Sequence, residues 1–343
     1  MKQSPIDLRS DTVTRPDGGM LEAMMNAELG DDVFMEDPSV IKLENELAAM
    51  FGKEAGLFCP SGTMTNQIAI RLHTVPGQEV ITHKESHVYK YEGGGIMVNS
   101  LCSVKLVDGN RGRLNPDDVL LNINNPDDIH LPVTRLVSIE DTANRGGGAI
   151  YDPQVIEAIS NVCKEKGFPL HLDGARVFNA LVETGCDRKK YGSWFDTISI
   201  CLSKGLGTPV GSVLIGTKQH IHSARRIRKV LGGGMRQAGV LAAAGSYALK
   251  HNIDRLLDDH KRARIIGEML RKNRFVEEIF PVETNIVVAR LHNSMPVERF
   301  VSLLREKNVL CVPFGAGLVR MVTHLDFHED QLNQLENAIQ QIA

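Results

Sequence analysis

Three short segments of this 343-residue chain carry side chains suited to chemistry on a phosphorylated carbonyl compound. The first is Cys59-Pro60-Ser61-Gly62-Thr63-Met64-Thr65-Asn66. A short apolar run enters it and an apolar-periodic stretch, 64–72, leaves it, so it reads as a turn from strand to helix. Small hydroxyl residues and glycine at a helix start suit a phosphate, because the first-turn amides lack intrahelical acceptors and the dipole favours an anion. Ser61 or Thr63 would otherwise serve as an ordinary N-cap. The second segment is His171-Leu172-Asp173-Gly174-Ala175-Arg176. Asp173 closes a strand-like run, the place where α/β sheets present ligand-binding groups. Asp173 and Arg176 then form either a plain ion pair at a helix start or a carboxylate aimed at a cofactor beside a guanidinium for an anionic substrate. The third is Cys201-Leu202-Ser203-Lys204-Gly205-Leu206-Gly207, after the strand-like run 197–201. A lysine there becomes a nucleophile toward carbonyls when desolvation or a neighbouring cation lowers its pKa. Taken alone, Ser203-Lys204-Gly205 reads as a solvated loop. Its glycines lie one residue off the dinucleotide pattern, and Pro209 with the strand-like 212–215 leaves no helix to receive a pyrophosphate. Jointly, the three segments supply what pyridoxal 5'-phosphate requires: amides for the phosphate, an Asp for the pyridinium nitrogen and a lysine for the aldehyde.

The elements that must position these groups alternate in type. Strand-like runs fall at 79–82, 135–140, 169–173, 197–201 and 212–215, and helix-like stretches at 39–50, 152–166, 238–249 and 253–270. Alternation predicts an α/β sheet, mostly parallel, with helices on both faces. After about residue 252 the pattern changes. A long charged helix (255–272), a strand at 285–289, a helix at 297–307, a strand at 318–322 and a final helix at 328–342 predict a smaller α+β domain. The expected organisation is an N-terminal arm (1–14), a large domain (15–250) and a small domain (251–343). Residues 122–128 read as a surface loop.

Composition narrows the classes. Lys and Arg number 39 against 42 Asp and Glu, a net charge of −3 with 42% hydrophobic residues. That balance argues against a nucleic-acid partner or a polybasic membrane contact. No apolar run reaches the length of a membrane span, and the opening residues show no signal-peptide h-region. The six cysteines are neither in C-x-x-C spacing nor beside histidines in a zinc pattern, so they read as reduced thiols of a cytoplasmic protein, with no metal expected.

Taken together, the motifs resemble the threonine aldolases of the aminotransferase-like superfamily over nearly the whole chain. The markers are Asp7-Leu8-Arg9-Ser10-Asp11-Thr12-Val13-Thr14, Gly30-Asp31-Asp32-Val33, Glu36-Asp37-Pro38, Pro60-Ser61-Gly62-Thr63-Met64, Ser86-His87, His171 to Arg176, Leu202-Ser203-Lys204-Gly205 and 232–239. The resemblance implies a pyridoxal-phosphate enzyme of fold type I that cleaves a β-hydroxy-α-amino acid to glycine and an aldehyde. Lys204 would carry the cofactor, Asp173 would pair with its ring nitrogen, and Ser61, Gly62 and Thr63 would hold its phosphate. His87 would stack on its ring. Ser10, Arg176 and Arg320 would bind the substrate carboxylate, with Arg176 also close to the cofactor. Arg236 would reach the phosphate of a neighbouring subunit, which implies intersubunit sites and, by the family pattern, a homotetramer.

The departures lie at the side-chain end of the pocket. Many relatives read Glu-Asn-Thr-His-Asn where this chain reads Glu140-Asp141-Thr142-Ala143-Asn144, and that histidine is credited with handling the substrate hydroxyl. Relatives tend to have Tyr-Gly at Phe34-Met35, and often Trp at Lys90. Three consequences stay open at this stage. His87, or a water it orients, serves as the base; or Ala143 makes room for a different substrate; or the reaction has shifted to β-elimination or racemisation. A non-catalytic cofactor-binding homologue is the remaining alternative.

Overall fold

The computed structural model describes residues 4–342. Its centre is a seven-stranded sheet in the order Ala55–Cys59, Ser212–Gly216, Thr197–Cys201, Leu170–Gly174, Thr134–Glu140, Glu79–His83, Ser103–Val107. The pairings among the last five strands are all parallel, and the two that bring in Ser212–Gly216 and Ala55–Cys59 are antiparallel. The mostly parallel sheet expected from the alternation is therefore present. Its inner strands are buried along their length except at Arg135, near the start of Thr134–Glu140, as a parallel sheet covered by helices on both faces requires. The edge strand Ser103–Val107 was not anticipated. Its exposed Ser103 and Leu106 and half-buried Lys105 break the apolar run by which the inner strands are recognised.

The helices are delimited by local chemistry. Asp37 caps Pro38–Met50 by accepting from the Val40 amide, with Pro38 at the first helical position. Asp152 opens Pro153–Lys166, and Gly167, at φ 71°, closes it in the left-handed region. The large core packs these helices and Gly239–His251 on the sheet through Leu43, Leu47, Ile156, Ile159, Leu172 and Ile200.

The C-terminal part forms a separate four-stranded antiparallel sheet, ordered Val312–Pro313, Leu318–Val322, Ile286–Leu291, Val276–Ile279. It has its own core, built around Ile266, Leu270, Val287, Phe300 and Leu335. The expected helix over 328–342 is a 3-10 turn, Glu329–Gln331, followed by Leu332–Gln340. Near the N-terminus, Ile6–Asp7 pairs in parallel with Val309–Leu310, and Ile6 and Leu8 are buried in this C-terminal core. The chain leaving that strand crosses to the large sheet. The six cysteines are free thiols, and among the described residues no helix is long and apolar enough to cross a membrane.

Candidate active site

The sheet register brings the site together. Glu140 pairs with Asp173, and Asp173 with Ser199, so three neighbouring strands end in one row of polar residues. Asp173 is buried. Its Oδ1 accepts from the Ala175 amide at 3.2 Å, while Oδ2 is buried without a partner. A buried acceptor with no donor is costly, and it marks where a ligand N–H would be bound.

One strand over, Lys204 follows Thr197–Cys201. Its carbonyl accepts from the Thr14 hydroxyl at 3.0 Å and from the Gly207 amide at 2.8 Å, which fixes the backbone beneath its side chain. On the other side stands the helix Gly62–His73. Ser61 Oγ accepts from the Met64 amide, so this hydroxyl is the N-cap. The cap leaves a cradle beside it. A Cβ on Gly62 would meet only Ser212 Oγ, at 3.5 Å, and that hydroxyl is itself buried without a partner. The capping and phosphate-holding readings of 61–63 are thus compatible, because they use different atoms.

Arg176 does not pair with Asp173. Its Nε and Nη2 donate to Asp11 Oδ2 and Oδ1, both at 2.7 Å, in a buried bidentate pair. Burial alone would raise the Asp11 carboxyl; the Arg176 guanidinium and Lys204 reverse this and hold it well below the usual carboxylate range. Ser10 caps the short turn Asp11–Val13 through the Thr12 amide. Arg320 differs from Arg176. Its Nη1 donates to Asn144 Oδ1 at 2.9 Å and its Nη2 to the Arg9 carbonyl at 3.0 Å, both neutral oxygens. Its guanidinium lies 4.8 Å from the Phe314 ring centroid, and its Nε is buried without a partner. Burial, with Arg176 and Arg145 nearby, pulls its pKa down to about 10. Among the described residues no carboxylate forms an ion pair with Arg320, although Asp11 acts on it at longer range, and it suits an incoming carboxylate.

His87 opens the helix His87–Lys90. Its amide donates to Glu140 Oε2 at 2.8 Å, and Nδ1 lies 2.9 Å from Glu92 Oε1. Glu140 also accepts from the Asn144 amide, so this one buried carboxylate ties the histidine's helix to Arg320's partner. Burial and the neighbouring Asp173 push the Glu140 carboxyl up. One ligand atom from each of His87, Glu92 and Asp173 lies within 4.8 Å of the other two.

The remaining expected residues stand apart. Arg236 and Phe34 are exposed (side chain 57% and residue 69%) and share Asp31, which accepts from Arg236 Nη1 at 2.9 Å and from the Phe34 amide. Lys90 is exposed and ion-paired to Glu85. Ala143 is 1% exposed and covered by the 109–113 loop; a Cβ on Gly112 would come within 2.6 Å of its methyl group. Sequence reasoning assigned no role to Asp11, Glu92, Glu140 or Asn144. Their contacts with His87, Asn144, Arg176 and Arg320 span from 4 to 176 residues along the chain, so spacing carried little signal for them.

A family profile described as beta-eliminating lyase matches residues 7–294. The low specificity L-threonine aldolase of Escherichia coli K12 is 42% identical over 333 residues, covering 96% of this chain and 97% of that protein. The chain belongs to the beta-eliminating lyase family, among the threonine aldolases. Low-specificity L-threonine aldolase 1 of Arabidopsis thaliana is 40% identical over 330 residues, with 94% and 92% covered. Among solved structures, the Leishmania major threonine aldolase superposes with a TM-score of 0.84 at 23% identity, covering 99% of this chain and all of that one. A Sphingomonas wittichii serine palmitoyltransferase superposes at 0.77 and 17% identity, covering 98% and 87%. This family member therefore shares the type I fold well beyond the aldolases.

Proposed function

We propose that this chain cleaves a β-hydroxy-α-amino acid, threonine or allo-threonine, to glycine and an aldehyde, using pyridoxal 5'-phosphate. The observation that carries the reading is the unpartnered, buried Asp173 Oδ2, one strand from Lys204 and on the same sheet edge. When bound, the cofactor supplies an electron sink for charge developing at the substrate Cα. The residues supply the rest. Asp173 Oδ2 accepts the ring N–H and keeps the proton there. Lys204 Nζ would hold the cofactor aldehyde in the resting protein and, once the substrate amine has displaced it, would carry the proton at Cα. Gly62 and Thr63 hold the phosphate at the helix N-terminus. Arg320 binds the substrate carboxylate and is held in place by Asn144. Arg176, engaged by Asp11, adds field rather than a free fork. His87 stacks on the ring and takes the hydroxyl proton, directly or through a water. The covered position of Ala143 supports this assignment over one that uses Ala143 as extra side-chain space.

The exposed Arg236, beside Phe34 and Met35 (69% and 59% exposed), supports a homotetramer in which these residues complete a neighbour's site. The free thiols favour a cytoplasmic location.

The test is direct. Purified protein incubated with pyridoxal phosphate should show a visible absorption band and release glycine and acetaldehyde from threonine. Lys204→Ala should lose turnover by at least about a thousandfold. A loaded wild-type protein that releases no glycine from any β-hydroxy amino acid would overturn the proposal.

A further inference from the structure

Glu92 is a buried carboxylate to which the proposed chemistry assigns no role, yet three side chains bond it beside the site. Its side chain has no exposure. Oε1 accepts from Asn66 Nδ2 at 2.8 Å and faces His87 Nδ1 at 2.9 Å, while Oε2 accepts from Gln67 Nε2 at 2.7 Å. An ionised carboxylate can only accept, so the proton in the His87 contact must sit on the imidazole nitrogen. We infer that Glu92 is the positioning residue of His87: it holds the imidazole through Nδ1–H, so that Nε2 is the nitrogen presented to the ligand.

Glu92 is itself held by a chain of oriented groups. Because Asn66 Nδ2 points at the carboxylate, Asn66 Oδ1 faces His171 Nε2 at 3.2 Å and must accept from it. His171 Nδ1 then accepts from the Thr197 hydroxyl at 3.0 Å, with the Thr197 carbonyl also 3.2 Å away, and that hydroxyl oxygen accepts from His73 Nε2, also at 3.0 Å. Burial keeps both inner histidines neutral, pulling His171 to about 4 and His73 to about 3. This arrangement matches a donor to an acceptor at each step from Glu92 to His73, while the Thr197 carbonyl beside His171 Nδ1 receives no proton from it. The chain orients and does not conduct, since it passes through an amide. Asn99 Nδ2 donates to Gln67 Oε1 at 3.3 Å and sets the second amide in the same sense.

The charged groups facing His87 come from several elements. They are Glu92 beyond its own helix, Asp173 from Leu170–Gly174 and Glu140 from Thr134–Glu140; the Tyr91 ring lies 5.7 Å away. Burial pulls the imidazole pKa down, but the Glu92 hydrogen bond and these carboxylates outweigh it, and the net direction is upward. A carboxylate behind a histidine sets its tautomer and raises its basicity in metal sites and proteases alike. His87's place beside the ligand rests on the aldolase reading above; Glu92's hold on it rests on the contacts just given.

The test reads the imidazole itself. In cofactor-loaded protein carrying 15N-histidine, with His87→Gln identifying the signal, neutral His87 should show the Nδ1–H tautomer and titrate above about 6.5. Glu92→Gln preserves shape, and the Gln67 amide can turn over to match it. In that variant the His87 midpoint should fall by at least about one pH unit. The Nε2–H tautomer in wild-type protein would overturn the assignment without any variant having to fold. A folded Glu92→Gln protein with an unmoved midpoint would overturn it as well. The expected tautomer and shift in a protein that releases no glycine from threonine would uphold Glu92's role and remove the aldolase function alone.

Discussion

At the residue scale, the site works by leaving selected atoms unmatched. Asp173 Oδ2 is an acceptor awaiting a donor, and Arg320 is a cation awaiting an anion. Asp173→Asn replaces half of the carboxylate with a donor and removes its charge, so the ring proton loses its holder. Turnover should fall about a hundredfold or more, roughly 3 kcal/mol of barrier, while the fold persists by circular dichroism. Arg320→Lys keeps the charge but loses the planar fork. The KM for threonine should rise at least about tenfold with a smaller change in kcat, read from steady-state glycine release. The types of Lys204, Asp173 and Arg320 were legible from sequence. That Arg176 spends its fork on Asp11 was not, because the partner lies 165 positions away.

At the element scale, one residue often does two jobs. Ser61 caps the helix whose N-terminus forms the proposed phosphate cradle. Ser61→Ala should lower stability by about 1 kcal/mol, seen as a reduced Tm, and weaken phosphate holding by loosening the first turn. Strands with uninterrupted apolar runs and helices with proline or aspartate starts were readable, because local chemistry alone delimits them. The edge strand Ser103–Val107 was not, since half of it meets solvent. The break in the final helix is local instead. His328 and Gln331 form a reciprocal cap that supports a tight turn before Leu332 reaches the core.

At the scale of the whole molecule, buried charge ties distant segments together. The Asp11–Arg176 pair fastens the N-terminal segment over the large sheet, and Asn285 of the C-terminal part also donates to Asp11, at 3.2 Å. Asp11→Asn leaves a buried guanidinium without its counter-charge and should cost about 3–5 kcal/mol. Because the folded Asp11 carboxyl is held low, its stabilisation is present above the unfolded carboxyl pKa and is lost as pH falls. Asp141 has the opposite sign. It accepts from the Tyr191 hydroxyl at 2.7 Å and from the Tyr151 amide at 3.3 Å, and burial raises its carboxyl to about 7. The folded state therefore binds a proton that the unfolded state has released. Stability declines as pH rises from the unfolded carboxyl pKa to about 7. Asp141→Asn should raise Tm more at pH 8 than at pH 5, a difference of a few degrees by calorimetry.

By itself the sequence determined the α/β alternation, the change of pattern near residue 252, and the residue types that pyridoxal phosphate needs. Each of these depends on hydrophobic period, on caps, or on side-chain chemistry, all written within a few residues. The tertiary structure alone decided which carboxylate each arginine meets, that Ala143 lies under the 109–113 loop, and that Glu92 stands behind His87. Those outcomes depend on strand register and on contacts between segments far apart in the chain. Burial then sets the strength of each charge, and no local pattern encodes it.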